Sequence, residues 1–299
     1  MSGCCASQTI ERMRIQLLSD LHMEVHPHFQ PEPAPDANVL VLAGDIGSYQ
    51  NGSLLEGEHF GLERFSPLPQ YAHWPCPVIF VPGNHEYDGQ DWDEAHLRLR
   101  RSCEKLGMVW LEREQYVLDG VRFIGTTLWT DYDAIALLDD KVAAGDSERL
   151  ERLREKAFRA ANFYLQKTGG TRYGAPFLAA PMREQALECQ QWLREALAEP
   201  FAGPTVAITH FAPSLRSSDP RYGLVPGTAG FCNQLDDLFP HADLWLHGHL
   251  HTAIDYTVQG TERQERKWSC RVYANPLGYA RKGEQVGFQP ALSVQVPGT

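Results

Sequence analysis

A chain of 299 residues, 43% hydrophobic and 22% charged, can bury a sizeable core and has the composition of an ordinary folded protein. Asp and Glu number 38 against 27 Lys and Arg, a formal net charge of −11 with no polybasic tract, which argues against stable binding to a nucleic-acid backbone. No apolar run of about twenty residues occurs, and the seven cysteines are scattered without a CxxC pair, so we expect no membrane association, reduced thiols and a cytoplasmic location.

Residues 1–12 are small and polar without periodicity and read as a disordered extension. Residues 13–18 form a short apolar run, a first strand, that ends in Ser19-Asp20-Leu21-His22. Pro27, Pro31, Pro33 and Pro35 then forbid regular structure. Residues 38–42 read as a second strand ending in Ala43-Gly44-Asp45, and residues 76–80 as a third that opens into Val81-Pro82-Gly83-Asn84-His85-Glu86. Trp92, Ala95, Leu99, Cys103 and Leu106 recur at helical spacing, closed by Gly107, while Arg98, Arg101 and Lys105 read as the solvated face of the same helix.

Strands are expected over 108–111, 115–118 and 121–128, the last two joined at Asp119-Gly120, a hairpin signal. Residues 133–200 read as a helical insertion, with helices over 147–166 (Leu150, Leu153, Ala157, Ala161 and Tyr164 on one side) and 182–198. Residues 204–208 form a strand ending in Thr209-His210, and residues 242–246 one that ends near Gly248-His249-Leu250-His251; strands over 253–258 and 268–274 follow. Residues 13–285 are expected to form one domain, the insertion covering the same core, and residues 286–299 a C-terminal tail.

Five strand-like runs thus end in Asp, His or Asn, where an α/β sheet gathers its chemistry. Asp20 and His22 alternate with Leu21, so on an extended backbone both leave one face and can grip one ion; His249 and His251 repeat the spacing. Asp45 offers a carboxylate able to bridge two cations, Asn84 a carbonyl oxygen and His210 an imidazole. Mixed carboxylate and imidazole donors suit Mn²⁺ first, with Fe²⁺ or Zn²⁺ as alternatives. Two such ions about 3.5 to 4 Å apart form the clamp that hydrolyses phosphoesters.

The ordered blocks Asp-x-His, Gly-Asp, Gly-Asn-His-Glu, His and Gly-His-x-His resemble the calcineurin-like metallophosphoesterase superfamily over residues 13–279. The phrases around Thr126 to Asp131, Thr209 to Ser214 and Asn275 to Tyr279 are similar to a bacterial branch of it. The resemblance implies two mixed β-sheets packed as a sandwich flanked by helices, and two divalent metal ions. Asp20, His22, Asp45 and His251 would hold one ion; Asp45 as bridge, Asn84, His210 and His249 would hold the other. It implies in-line attack by a metal-bridging hydroxide, with His85 protonating the leaving oxygen.

Asp45 is followed by Ile46, Gly47, Ser48, Tyr49 and Gln50, so the Asp and Arg of the phosphoprotein phosphatases are missing. Ser48 stands where the purple acid phosphatases carry Tyr, and Phe211 where the branch often has a second His. We therefore expect a phosphodiesterase acting on small-molecule or nucleotide substrates, with a broad phosphomonoesterase as the alternative and a non-catalytic metal-binding scaffold as the alternative of another class. Glu86 is either an orienting group or a surface helix cap, and His247 either supports a ligand or is a satisfied core histidine. Trp129, Asp131, Tyr132, Phe211 and Tyr279 are candidates to shape the substrate pocket or pack in the core; His26 and His28, in the Pro-rich stretch, read as surface residues with the cleft mouth as the alternative, and His59, His73, His96 and His241 read as bland. Oligomeric state is not legible in the sequence.

Overall fold

Short apolar runs that alternate two buried faces build parallel strands, and such strands must be covered on both sides. The computed structural model describes residues 12–261 and 267–299. The expected N-terminal extension therefore lies, apart from Arg12, outside the described residues.

In chain order the elements are β1 (Arg14–Leu18), β2 (Val39–Ala43), β3 (Val78–Val81), α1 (Trp92–Leu106), β4 (Val109–Trp110), β5 (Glu114–Leu118) and β6 (Val121–Thr126). Then follow α2 (Asp140–Ala143), α3 (Ser147–Thr168), β7 (Thr171–Arg172), β8 (Ala175–Pro176) and α4 (Ala179–Ala198). The chain closes with β9 (Thr205–Thr209), β10 (Leu244–His247), β11 (Ile254–Thr261), β12 (Lys267–Ala274) and β13 (Ser293–Gln295). One sheet has the order β13-β1-β2-β3-β4 and the other β11-β12-β10-β9-β6-β5, with β7 and β8 as a separate hairpin. Both large sheets are mixed, and helices flank them, as expected for a metallophosphoesterase sandwich.

Side-chain alternation explains the layering. Ile15, Leu17, Val39, Val41, Ile79 and Val81 from the first sheet meet Phe123, Val206, Ile208, Leu244 and Leu246 from the second in one inner layer. Leu18, Leu40, Leu42, Val78 and Phe80 point the other way, into the layer that α1 covers with Ala95, Leu99, Cys103 and Leu106. Each such fully buried side chain contributes about 1.5 to 3 kcal/mol. Asp91 caps α1 by accepting the Asp93 and Glu94 amides, and Gly107 ends it at φ 68°. Asp119 and Gly120 are both left-handed, at φ 46° and 78°, as the tight hairpin of β5 and β6 requires.

Ion pairs gather the helices of residues 133–200 onto the first residue of that segment. Arg154 on α3 forks onto Asp133 at 2.6 and 2.9 Å, and Arg183 on α4 reaches the same carboxylate at 3.0 Å. Tyr132 is buried between Phe158 and Met182. The apolar side expected for α3 is only partly used: Ala157 is buried but Tyr164 is exposed, because α3 is an outer layer. Residues 293–295, expected in a tail, instead form β13, antiparallel to β1, with Val294 and Val296 buried. Three strand residues are too short a pattern to stand out until the open edge of β1 supplies a partner. The β7 and β8 hairpin likewise had no strand signal of its own. Cys76, Cys103, Cys189, Cys232 and Cys270 are free thiols, and no described helix is long and apolar enough to cross a membrane.

His96 lies on α1 against Trp92 and Tyr87, its Nδ1 3.1 Å from the Tyr87 hydroxyl. Burial, with the charges of Arg113 and Arg100, pulls its pKa down to about 4. The folded state holds it neutral while the unfolded chain protonates it near its ordinary value. Its contribution to stability is full above that value and is lost as pH falls toward 4. Replacing His96 by Gln should flatten the loss of unfolding free energy between pH 7 and 4.5 by about 1 to 3 kcal/mol in denaturant titrations.

Candidate metal centre

β1, β2 and β3 run parallel in one sheet, β9 and β10 in the other, so their carboxyl ends deliver loops to one edge of the sandwich. Glu86 holds two of these loops together. Its fully buried carboxylate accepts the amides of Ile46 at 2.7 Å, Gly83 at 2.8 Å and Asp45 at 3.1 Å. Burial and the nearby Asp45 charge push its pKa up to about 7. Of the two readings open for Glu86, the orienting role is the one found; it is not a surface cap.

The loops are also zipped beyond the strands. The Asp20 and His22 amides donate to Gly44 O and Asp45 O, both at 3.0 Å. Asp45 Oδ1 accepts the His85 amide at 2.8 Å, and the Asp20 carboxylate accepts the His249 amide at 2.9 and 3.1 Å. A Cβ at Gly83 would collide with Asp45, and one at Gly248 would lie 2.6 Å from Asp20 Oδ2, so both positions require a bare backbone.

One expectation is corrected here. Asp20 and His22 do not converge by alternation on an extended backbone: their φ angles are 52° and 47°, and those of Asp45, His249 and His251 are 55°, 72° and 48°. Left-handed backbone at non-glycine residues costs about 1 to 3 kcal/mol each and persists where surroundings over-determine it. The amide bonds just described supply that determination, and the side chains converge through sharp turns instead of through the pleat.

Two of the three donor groups that result share a carboxylate, the third being His22, Glu24 and His85. Asp20, His22, Asp45 and His251 form one, Asp45, His210 and His249 the other, and Asp45 belongs to both. Asn84 joins the second group, its Oδ1 3.1 Å from His210 Nε2. His210 Nε2 is 3.2 Å from Asp45 Oδ2, and His251 Nε2 is 3.4 Å from Asp20 Oδ1. His85 stands at the edge, Nε2 3.9 Å from Asp45 Oδ2. All eight side chains singled out in the sequence are brought together.

Each of three histidines is fixed from behind. His22 Nδ1 meets Glu24 Oε1 at 2.9 Å, His251 Nδ1 meets Glu284 Oε2 at 2.6 Å, and His210 Nδ1 meets Ala43 O at 2.8 Å. With Nδ1–H assigned to these acceptors, the Nε2 lone pairs of His22 and His251 face each other at 3.0 Å. Two lone pairs at that distance repel unless a cation lies between donors of this kind. Asp45 Oδ2 and His249 Nε2 are, in addition, buried atoms without a hydrogen-bond partner. These residues therefore fit divalent metal binding.

Glu24, Asp88 and Glu284 were missed in the sequence. Glu24 continues the Asp20, His22 spacing and Asp88 lies three residues after His85, signals that could have been read; Glu284 has none. His247 proves to be a core histidine that supports the turn: Nδ1 is 3.0 Å from Gly248 O and Nε2 3.0 Å from Ser217 Oγ. Trp129, Tyr132 and Phe211 are buried, the Phe211 ring packing 4.0 Å from that of His249, and Asp131 is bound by Gln190. Tyr279 does face the centre, stacked on His22 with ring centroids 4.3 Å apart. Phe231, not foreseen, lies 5.3 Å from the His249 ring and is 43% exposed. His26 bridges Leu21 O and the Ala280 amide, while His28 is exposed.

A family model described as calcineurin-like phosphoesterase matches residues 13–253. An uncharacterized protein of Acanthamoeba polyphaga mimivirus is 23% identical, over 95% of this chain and 97% of its own. Among solved structures, the phosphopantetheinyl hydrolase of Mycobacterium tuberculosis superposes with a TM-score of 0.61 at 19% identity, covering 96% of this chain and 97% of that one.

If Glu24 and Glu284 orient their histidines, Glu24→Gln and Glu284→Gln should each weaken metal affinity by about 10 to 100-fold in competition titrations. Unchanged affinity in both would make the carboxylates bystanders.

Proposed function

Since the chain belongs to the calcineurin-like phosphoesterases and is a metal-dependent phosphoesterase, we propose that it is a dinuclear phosphodiesterase of small-molecule or nucleotide substrates. The observation that carries this is that two donor groups meet at one shared carboxylate, Asp45. Manganese is the first choice for both positions, with iron or zinc as alternatives. When bound, such a pair supplies the positive charge that acidifies a water and neutralises phosphoryl oxygens.

The chain's own residues do the rest. His85 Nδ1 is 2.8 Å from Asp88 Oδ2, which fixes the ring so that Nε2 faces the centre. Burial opposes its charge, but the carboxylates of Asp45 and Asp88 outweigh burial and hold the imidazole protonated well above its ordinary range. His85 Nε2 then donates its proton to the departing oxygen, with Asp88 stabilising the charged ring beforehand. Tyr279 and Phe231 border the centre on its His22 and His249 sides and flank the substrate body.

A diester carries one negative charge at phosphorus where a monoester carries up to two. Two cations beside the centre's residues are already matched: Arg221, which also reaches Thr252 Oγ1 at 3.4 Å, is ion-paired with Asp219 at 2.5 Å, and Lys282 lies 3.9 Å from Glu284. This favours the diester, and the absent arginine after Asp45 points the same way. A phosphopantetheine-bearing diester, the group named in the Mycobacterium tuberculosis neighbour, is one substrate to try. The scaffold reading needs lost donors, and Asp20, His22, Asp45, Asn84, His85, His210, His249 and His251 are all present.

The test is turnover of matched aryl phosphate monoesters and diesters by protein stripped and reloaded with Mn²⁺, with metal counted in the same sample. Two ions per chain and faster diester turnover are expected. Faster monoester turnover would transfer the assignment to a phosphomonoesterase, and two ions without turnover on any phosphoester to the scaffold. His85→Ala should lower kcat by about a hundredfold or more with metal content unchanged. Asp88→Asn should also lower it and move the alkaline limb of the pH profile downward, because the protonated ring loses its partner.

A further inference from the structure

The face of α1 that carries Arg98, Arg101 and Lys105 is solvated at Arg101 and Lys105, as expected from its sequence, while Arg98 is half-buried. The segment with Glu58 and His59 folds against it and borders, with those three cations and Ser102, an open cleft of about 500 Å³. That volume falls in the range of small-molecule sites. Arg98, Arg101, Ser102 and Lys105 stand at i, i+3, i+4 and i+7, so the cations share one helix face over about 10 Å of its axis.

Three cations and an imidazole face one carboxylate here, in a chain that is acidic overall. None of the three forms an ion pair with a described carboxylate, whereas Arg100, on another face of α1, pairs with Glu104 and Glu114. Arg98 is also held rigid without being neutralised. Its guanidinium lies 4.5 Å from the Tyr49 ring centroid and 4.9 Å from that of Phe60, and donates to Glu58 O at 2.9 Å and Gln90 Oε1 at 3.3 Å. The Ser102 hydroxyl is buried 2.9 Å from His59 Nδ1, which ties the covering segment to the helix.

We propose that this cleft is a second ligand site, separate from the metal centre, for a small molecule bearing a diphosphate or two phosphoryl groups. The planar fork of arginine matches phosphoryl oxygens, and a row of cations about 10 Å long exceeds the reach of a single phosphoryl group. The net charge of −11 disfavours an extended polyanion and so favours a compact ligand. None of the lining residues belongs to the metal centre, so the site stands or falls independently of the hydrolytic assignment.

The test is calorimetric titration of methylenediphosphonate, a hydrolysis-resistant diphosphate, into metal-loaded protein and into the R101Q/K105Q variant, with metal content and aryl phosphoester turnover measured on both. Wild type should show a class of binding that the double variant loses or retains at least tenfold more weakly, at equal metal content and turnover. Lys105→Gln alone, at an exposed position, should give an intermediate loss and serves if the double variant does not fold. Identical isotherms in wild type and variants, which place all binding at the metal centre, or the absence of binding to wild type, would overturn the proposal.

Discussion

The centre depends on one buried carboxylate. Glu86 accepts amides from both Gly83 and the Asp45 to Ile46 turn, and so locks the end of β2 to the end of β3. A buried carboxylate left without partners would cost several kcal/mol, whereas three amides satisfy it and gain charge-assisted bonds. The same contacts supply partners to amides that the turning backbone removes from the sheet. Asp45, Asn84 and His85 all follow from it, because each lies within two residues of an amide that Glu86 holds.

This arrangement stores strain as well as order. Five of the donors sit in left-handed backbone, and two imidazole nitrogens face each other at close range. Neither feature would survive in a loosely packed loop. They persist because the strands behind them are buried on both faces, Ile15, Leu17, Val39 and Val41 toward the second sheet and Leu18, Leu40 and Leu42 toward the α1 layer. The rigid, strained donors are preorganised for a cation, whose binding relieves repulsion that folding has already imposed.

The same division of labour runs through the periphery. α3 and α4 are pinned by Arg154 and Arg183 onto Asp133, close behind the loop after β6, so the insertion braces the edge that carries the chemistry. α1 serves both faces. Its apolar side closes the layer over β3, and its cationic side meets the segment around His59 to form an open basic cleft.

Much of this was legible in the sequence, for physical reasons that differ by residue. Apolar runs such as 38–42 announce strands because burial on both faces demands it, and the polar residues that end them announce the donors because only strand ends can expose them. Gly107 and Asp119-Gly120 were readable because few residues adopt left-handed backbone without cost. What the chain could not disclose locally was pairing across distance. β13 exists because β1 has an open edge, and Glu284 reaches His251 across 33 residues through no periodic signal. The left-handed turns at Asp20 and His22 are set by Gly44 O and Asp45 O on a neighbouring strand. Sequence alone determined which side chains could ligate, since that is a property of residue type and of local hydrophobic pattern. Tertiary structure decided how they converge, what holds them and which segment borders the cationic face of α1, since those depend on partners the chain brings near only when it folds.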